Sequence, residues 1–275
     1  VHIRALAAED ANACAALAVE RGWRPHVESF RLALSLGSGL GVDDPIGGLA
    51  AMAILLRYGV AAAVLTVLVG PRHVGKKLGR TLTERQLDAA GELPVELHAP
   101  PSGVGFALKL GFQPADWVNR FGGRPRTMAR GEAGGTLRPV SGSDFPALVG
   151  MDEVAFGALR RPLLEALFPL AARACLAVAD KRTVGYGLAW SDGDLLAIGP
   201  IVSEDEATAV AMASWLVGAG DREVRVDVPA ERAGLASFAH AAGLKPLGRI
   251  TRLVRGTPAA SRRERLHALA APWAG

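Results

Sequence analysis

Residues 65–87 read LTVLVGPRHVGKKLGRTLTERQL: an apolar run, a Gly-Pro step, a loop carrying glycine and lysine, and then a helical pattern. A strand delivered into a helix through such a loop leaves the first backbone N–H groups of the helix without intrahelical partners, at the positive end of the helix dipole. Lys76, Lys77 and Arg80 add mobile positive charge to those fixed dipoles. The chemistry this arrangement suits is the holding of a phosphate.

The elements that must position such a loop follow from composition and pattern. Half of the 275 residues are hydrophobic, which excludes a disordered chain and leaves ample length for one large or two ordinary domains. The net charge of +4 favours anionic partners, but the basic residues are scattered among 27 acids and never form a run interleaved with aromatics, so no nucleic-acid partner is predicted. Cys14 and Cys175 read as reduced core residues, and no metal site is predicted. No apolar stretch approaches the roughly 20 residues of a membrane span, and the start has no signal-peptide layout. The expectation is a cytoplasmic protein, monomer or homodimer, without a membrane partner.

The chain also matches itself. His2-Ile3-Arg4-Ala5-Leu6 followed by Asp10 corresponds to Thr136-Leu137-Arg138-Pro139-Val140 followed by Asp144. At a second spacing Gly70-Pro71 falls on Gly199-Pro200, Val95 on Val224 and Pro100 on Pro229; Leu110-Gly111-Phe112 then meets Ala242-Gly243-Leu244, and Arg120 meets Arg252. In the first half, periodicity predicts a strand over 2–6, helices over 11–19 and 26–36, strands over 46–56 and 61–69, a helix over 79–90, a strand over 95–99, a short helix, and strands near Phe112 and over 118–121. The second half repeats the scheme: a strand over 136–140, helices over 145–156 and 161–170, strands over 174–179, 183–190 and 195–201, a helix over 205–218, a strand over 223–228, a helix over 233–242 and a strand over 250–254. Residues 1–123 and 136–256 are therefore read as two domains, with 124–135 as a Gly- and Arg-rich linker and 257–275 as a basic helical tail bearing Leu266, Leu269 and Trp273 on one side.

The loop Val74, Gly75, Lys76, Lys77, Leu78, Gly79, with Leu82 following, resembles the acetyl-CoA pyrophosphate loop of the GNAT N-acyltransferases, departing from its pattern at Val74 and Lys77. The order of elements is similar to that of the GNAT fold, a mixed α/β sheet in which two parallel strands splay apart at mid-sheet and the pantetheine arm lies in the gap. The second half also resembles the C-terminal domain of YitH-type acetyltransferases, through Phe156-Gly157 with Arg160 or Arg161 and Leu163-Leu164, Gly185-Tyr186, residues 198–202 and 226–229, and the closing residues 252–256. The resemblance implies two tandem GNAT folds and an enzyme moving acetyl from acetyl-CoA to an amine of a small molecule by direct attack in a ternary complex. A non-catalytic acyl-CoA-binding or sensing protein is the alternative.

Charge separates the two halves. At the second spacing Gly75, Lys76 and Lys77 fall on Glu204, Asp205 and Glu206, and acids at a helix start repel a pyrophosphate. The first half is therefore read as the acetyl-CoA domain, with Val67, Leu68 and Val69 on the pantetheine and Val74 to Arg80 on the phosphates. If Lys77 needs a positive φ, its side chain costs about a kcal/mol there. The tyrosine that GNAT enzymes often use as acid is replaced by Ala107 and Ala239, and the strand over 61–69 lacks the usual glutamate. Substitute candidates are His98 and Glu96, which alternate onto one face of a strand, Tyr186, and Asp227 at the Asp-Val-Pro step. Each also has a plain structural role open to it, as do Tyr58, Asp152, Arg160 and Arg161.

Overall fold

The computed structural model describes residues 2–23, 26–126, 135–218, 220 and 222–271. Most of the linker, and Trp273 in the tail, lie outside these residues. The chain forms two compact units. One comprises Val1–Pro114 with Leu253–Pro258, the other Ala115–Arg252 with Ala259–Gly275.

The first unit runs β1 (Arg4–Leu6), α1 (Ala11–Glu20), α2 (Val27–Leu36), β2 (Ser38–Asp43), β3 (Leu49–Arg57), β4 (Ala62–Val69), α3 (Leu78–Ala90), β5 (Val95–Ala99) and α4 (Pro101–Leu108). The strands are ordered β1-β2-β3-β4-β5, antiparallel except for the parallel pair β4/β5. β3 reads LAAMAILLR and is buried along its length up to Arg57, as expected of a central strand covered on both faces. Leu78, Leu82, Gln86 and Ala90 recur every four residues, give α3 one buried stripe, and set Leu78 and Leu82 against Ala51, Ala53, Val67 and Val69. A second core joins Val95, Leu97 and Ala99 of β5 to Leu87, Ala107 and Phe112, and Leu253, from far along the chain, completes it.

β2 is absent from the sequence expectation. Its sequence, SGLGVD, has little strand character, but a Cβ on Gly39 or Gly41 would come within 2.8 or 2.7 Å of the Leu6 side chain. The glycines make room for β1, and packing overrides propensity. The two strands expected near Phe112 and over 118–121 are one strand, β6 (Gln113–Gly123).

The second unit contains most of β6 and then β7 (Thr136–Pro139), α5 (Phe145–Phe156), α6 (Arg161–Leu167), β8 (Ala171–Ala179), β9 (Arg182–Asp192), β10 (Leu195–Ser203), α7 (Glu206–Val217), β11 (Val224–Pro229), α8 (Ala233–Ala241), β12 (Lys245–Arg255, its last residues belonging to the first unit) and β13 (Leu266–Ala268). Its strands run β12-β6-β11-β10-β9-β8-β7, with β13 added to β10; β10 and β11 are the parallel pair. β6 lies antiparallel to β11, so the strand closing the first repeat is built into the second unit. The tail does not form the expected helix in its described part: Arg263–Arg265 makes a single 3-10 turn and Leu266–Ala268 is a strand.

The repeat is visible in side chains as well as in topology. Arg4 donates to Asp10 at 2.9 Å while Asp10 accepts from the Ala7 N–H, and Arg138 donates to Asp144 at 2.7 Å while Asp144 accepts from the Ser141 N–H. Arg138 and two bonds from Ser141 hold the Asp144 carboxyl well below the usual carboxylate range.

Candidate functional site

β4 and β5 pair in parallel over three residues only, Ala62/Val95, Ala63/Glu96 and Val64/Leu97. A β-bulge at Leu65, between the pairs Leu55/Val64 and Ile54/Thr66, turns the strand where that pairing stops. Among the described residues no strand takes up β4 on this side beyond Val64, and Thr66, Val67 and Val69 remain partly exposed. The gap therefore opens beside the residues expected to meet the pantetheine.

The loop above the gap has a defined shape. Pro71–His73 forms a 3-10 turn, Gly75 takes φ +86°, and Lys77 takes the left-handed conformation, φ 61° and ψ 8°, as the residue capping α3. No side chain caps that helix start, which leaves the N–H groups of its first turn for another acceptor. Gly79 lies against Val69 and Val67, whose methyl carbons would be 3.0 and 3.5 Å from a Cβ placed there, so strand end and helix start are in close approach. Lys76 and Lys77 are exposed, and Arg80 donates to Glu84 at 2.8 Å. The expected phosphate-loop residues are thus together in one place.

A side-chain network that the sequence reading missed holds this loop. Asp44, from the β2–β3 turn, accepts from the Ile46 N–H at 3.1 Å and from Arg72 at 3.0 Å, and pairs with His73 Nε2 at 2.8 Å. His73 Nδ1 is 3.3 Å from Lys76 Nζ, so the ring lies between the Asp44 carboxylate and the lysine. The Ile46 N–H, followed by His73, lowers the Asp44 pKa. The one sequence signal was the turn Asp43-Asp44-Pro45, which marks a turn and nothing of its partner across the unit.

The remaining candidates divide between the units. Glu96 and His98 lie on the β5 face opposite Val95, Leu97 and Ala99, with Glu96 buried and His98 partly so. Tyr186 and Asp227 are in the second unit, each inside an ion-paired network. The Tyr186 hydroxyl donates to Asp152, whose carboxylate also takes two bonds from Arg160, at 2.9 and 2.7 Å; the Arg160 guanidinium lies 4.0 Å from the centre of the Phe156 ring. Burial and the Asp152 charge push the Tyr186 phenol well above its ordinary pKa. Asp227 accepts from Arg120 at 2.9 Å and Arg225 at 3.2 Å and is 3% exposed. Tyr186, Asp152, Arg160 and Asp227 are thus buried polar groups, each held in an ion-paired network. Arg161 pairs with Glu165 on the surface of α6. Ala107 and Ala239, at the positions where the resemblance implies a tyrosine, are fully buried.

In the second unit the parting of the strands recurs: β10 and β11 pair over Leu196/Val224, Ala197/Arg225 and Ile198/Val226, with a bulge at Gly199-Pro200. Gly199-Pro200 is therefore the counterpart of the Leu65 bulge rather than of Gly70-Pro71, which follows the end of β4. Residues 70–77 separate β4 from α3, whereas only Glu204 and Asp205 separate β10 from α7. The second unit thus has no loop of this kind, and the sequence match at Gly-Pro concealed its absence. Asp205 caps α7 through the Thr208 N–H at 2.7 Å and hydroxyl at 2.8 Å, and Glu206 accepts from the Gly234 N–H at 2.7 Å. Among the described residues no group of three or more His, Cys, Asp or Glu side chains is placed to hold a metal ion, and no helix is long and apolar enough to cross a membrane.

Residues 148–268 match the family model of an acetyltransferase (GNAT) domain. Solved structures similar over the whole chain include a protein from Pyrococcus horikoshii described as a candidate acetyltransferase, with TM-score 0.84 and 18% identity, covering 100% of this chain and 95% of that one. A GCN5-related N-acetyltransferase from Sphaerobacter thermophilus gives TM-score 0.68 and 22% identity over 94% of this chain and 98% of its own. A tandem GNAT protein from the clavulanic acid biosynthesis pathway gives 0.63 and 17% over 92% and 97%. These likenesses show a mixed α/β fold of the GNAT type. No curated protein sequence matches the chain.

Proposed function

We propose that this chain is a tandem GNAT-type N-acetyltransferase that moves an acetyl group from acetyl-CoA to an amine of a small-molecule acceptor, by direct attack in a ternary complex. The observation that carries this reading is the gap opening at Leu65, directly beneath an uncapped helix start fed by a loop with two lysines. The residues fit the cofactor. The edge of β4 at Val67, Leu68 and Val69 offers main-chain groups to the amides of the pantetheine arm. The first-turn N–H groups of α3 and the ammonium groups of Lys76 and Lys77 face the charge of the phosphates, within the loop from Val74 to Arg80. Acetyl-CoA supplies the activated acyl group when bound.

In the transfer the amine nitrogen bonds to the acyl carbon, the thioester C–S bond breaks, the ammonium proton is lost and the thiolate gains one. His98 and Glu96 are the candidates for taking the amine proton, since both stand on the strand that forms one side of the gap. The second reading, a non-catalytic acyl-CoA sensor, is favoured by one observation: fully buried Ala107 stands where a tyrosine acid is expected.

Thermal unfolding with and without acetyl-CoA tests the binding that both readings require, because a ligand of the native state raises apparent stability by mass action. No shift at saturating acetyl-CoA removes both. Thiol release with a panel of amines then separates them: turnover with any acceptor removes the sensor, and binding without turnover removes the enzyme.

A further inference from the structure

The gap in the second unit is filled by the chain itself. β13 adds to β10 beyond the point where β10 and β11 part, pairing Ala268 with Ile201 and Leu266 with Val202. Counted from the first ladder pair after each bulge, Ile201 and Val202 are the counterparts of Thr66 and Val67. On the far side of the gap the Leu269 N–H donates to the Asp227 carbonyl of β11 at 2.9 Å, so the tail spans from one parted strand to the other. The Trp190 indole donates to the Ala270 carbonyl at 3.0 Å, Arg232 donates to the Leu266 and Arg263 carbonyls at 3.2 and 3.0 Å, and His267 Nε2 lies 3.3 Å from the Ser203 carbonyl. Residues 266–271 are all buried. Gly199 is required by this arrangement, since a Cβ there would overlap the Leu269 carbonyl. The residues that line the filled gap, Ile201, Val202 and Ser203, are fully buried, whereas Val67 and Val69 beside the open one are not.

From this geometry we infer that the segment Leu266–Ala271 is a resident occupant of the second unit's gap, lying where the pantetheine arm is proposed to lie in the first, so that each chain holds one acyl-CoA and not two. The inference rests on the reading of the first gap as the acyl-CoA site. It unites two facts: the second unit lacks the loop between strand and helix, and the carboxylate of Asp205 already occupies the helix start that a phosphate would need. A peptide bonded to both strands satisfies the backbone groups that a missing ligand arm would leave buried and unpaired.

Hydrogen exchange of the full chain, read by mass spectrometry with and without acetyl-CoA and combined with the stoichiometry from titration calorimetry, tests this. In the free protein the Leu269 amide and its neighbours in β13 exchange at least about 100-fold more slowly than in an unstructured peptide. On addition of acetyl-CoA, protection rises over 66–80, stays unchanged over 195–203 and 263–271, and one ligand binds per chain. Tail amides that exchange at unstructured rates in the free protein overturn the inference, as do two bound ligands accompanied by loss of protection over 266–269. Slow tail exchange in a chain that binds no acetyl-CoA refutes the reading of the first gap and leaves the occupant of the second in place.

Discussion

Lys77 is placed so that stability and binding respond in opposite directions to its removal. At φ 61° and ψ 8° it holds a conformation that costs an ordinary L-residue about 1–2 kcal/mol. Lys77→Gly releases that strain and returns about 0.5–1 kcal/mol to the unfolded chain as added freedom. The net change is therefore between zero and about 1.5 kcal/mol of stabilisation, or a rise of up to about 6 °C in melting temperature for units of this size. The same change removes an exposed ammonium beside the helix start. An exposed charge pair contributes about 0.2–1 kcal/mol, which weakens acetyl-CoA binding by up to about fivefold, and this loss disappears at high salt. Lys77→Ala is the control: it loses the charge and keeps the strain, so it binds as weakly as the glycine variant and melts below it. Melting scans with calorimetric titration at low and high salt supply both readouts. A glycine variant that melts several degrees below the parent refutes the conformational argument, and one that binds acetyl-CoA unchanged at low salt refutes the placement of phosphate at this loop.

Tyr186→Phe deletes one bond of the buried Asp152–Arg160 network; stability falls by about 1–3 kcal/mol while kcat of acetyl transfer is unchanged, and a lost kcat at full stability would make the phenol a proton donor. Burial pushes His267 down to about 4, with the Arg232 charge adding to the effect, so the unfolded chain binds a proton that the folded one does not between about pH 6.5 and 4. Its contribution is full above about pH 6.5 and is lost as the pH falls towards 4, by on the order of 3 kcal/mol; urea midpoints followed by tryptophan fluorescence fall over that window in the parent and fall less in His267→Gln, and equal slopes would refute the assignment. Cys14 and Cys175 are buried with thiols pushed up to about 12, chiefly by desolvation; an aromatic disulfide reagent titrates neither in the native protein and both in denaturant, and fast native reaction of either would contradict the packing.

Much of this was legible from residue order because the informative segments are long and apolar. β3, β4 and β10 are runs dominated by Val, Leu, Ile and Ala that have few alternatives, and the element order they impose sets the parallel pair of each half. The failures have specific causes. β2 hides because its glycines are selected by the closeness of Leu6 and not by strand propensity. The tail carries a helical spacing, since Leu266 and Leu269 are three residues apart, but helix and irregular strand share that spacing over so short a segment. Gly199-Pro200 looked like Gly70-Pro71, yet one pair sits in a bulge and the other after a strand, a difference set by hydrogen-bond register and invisible in residue type. Asp44, His73 and Lys76 meet through the turn between two strands, and no local pattern encodes that meeting.

The exchange of closing strands bears on how such a chain is inherited. The core of the first unit contains Leu253, supplied by the last strand of the second repeat, and the core of the second contains Val118 and Phe121, supplied by the last strand of the first. A gene truncated at the linker encodes two fragments that each lack a piece of their own interior. Neither repeat can therefore be removed without opening the interior of the other, whether or not the second binds a ligand.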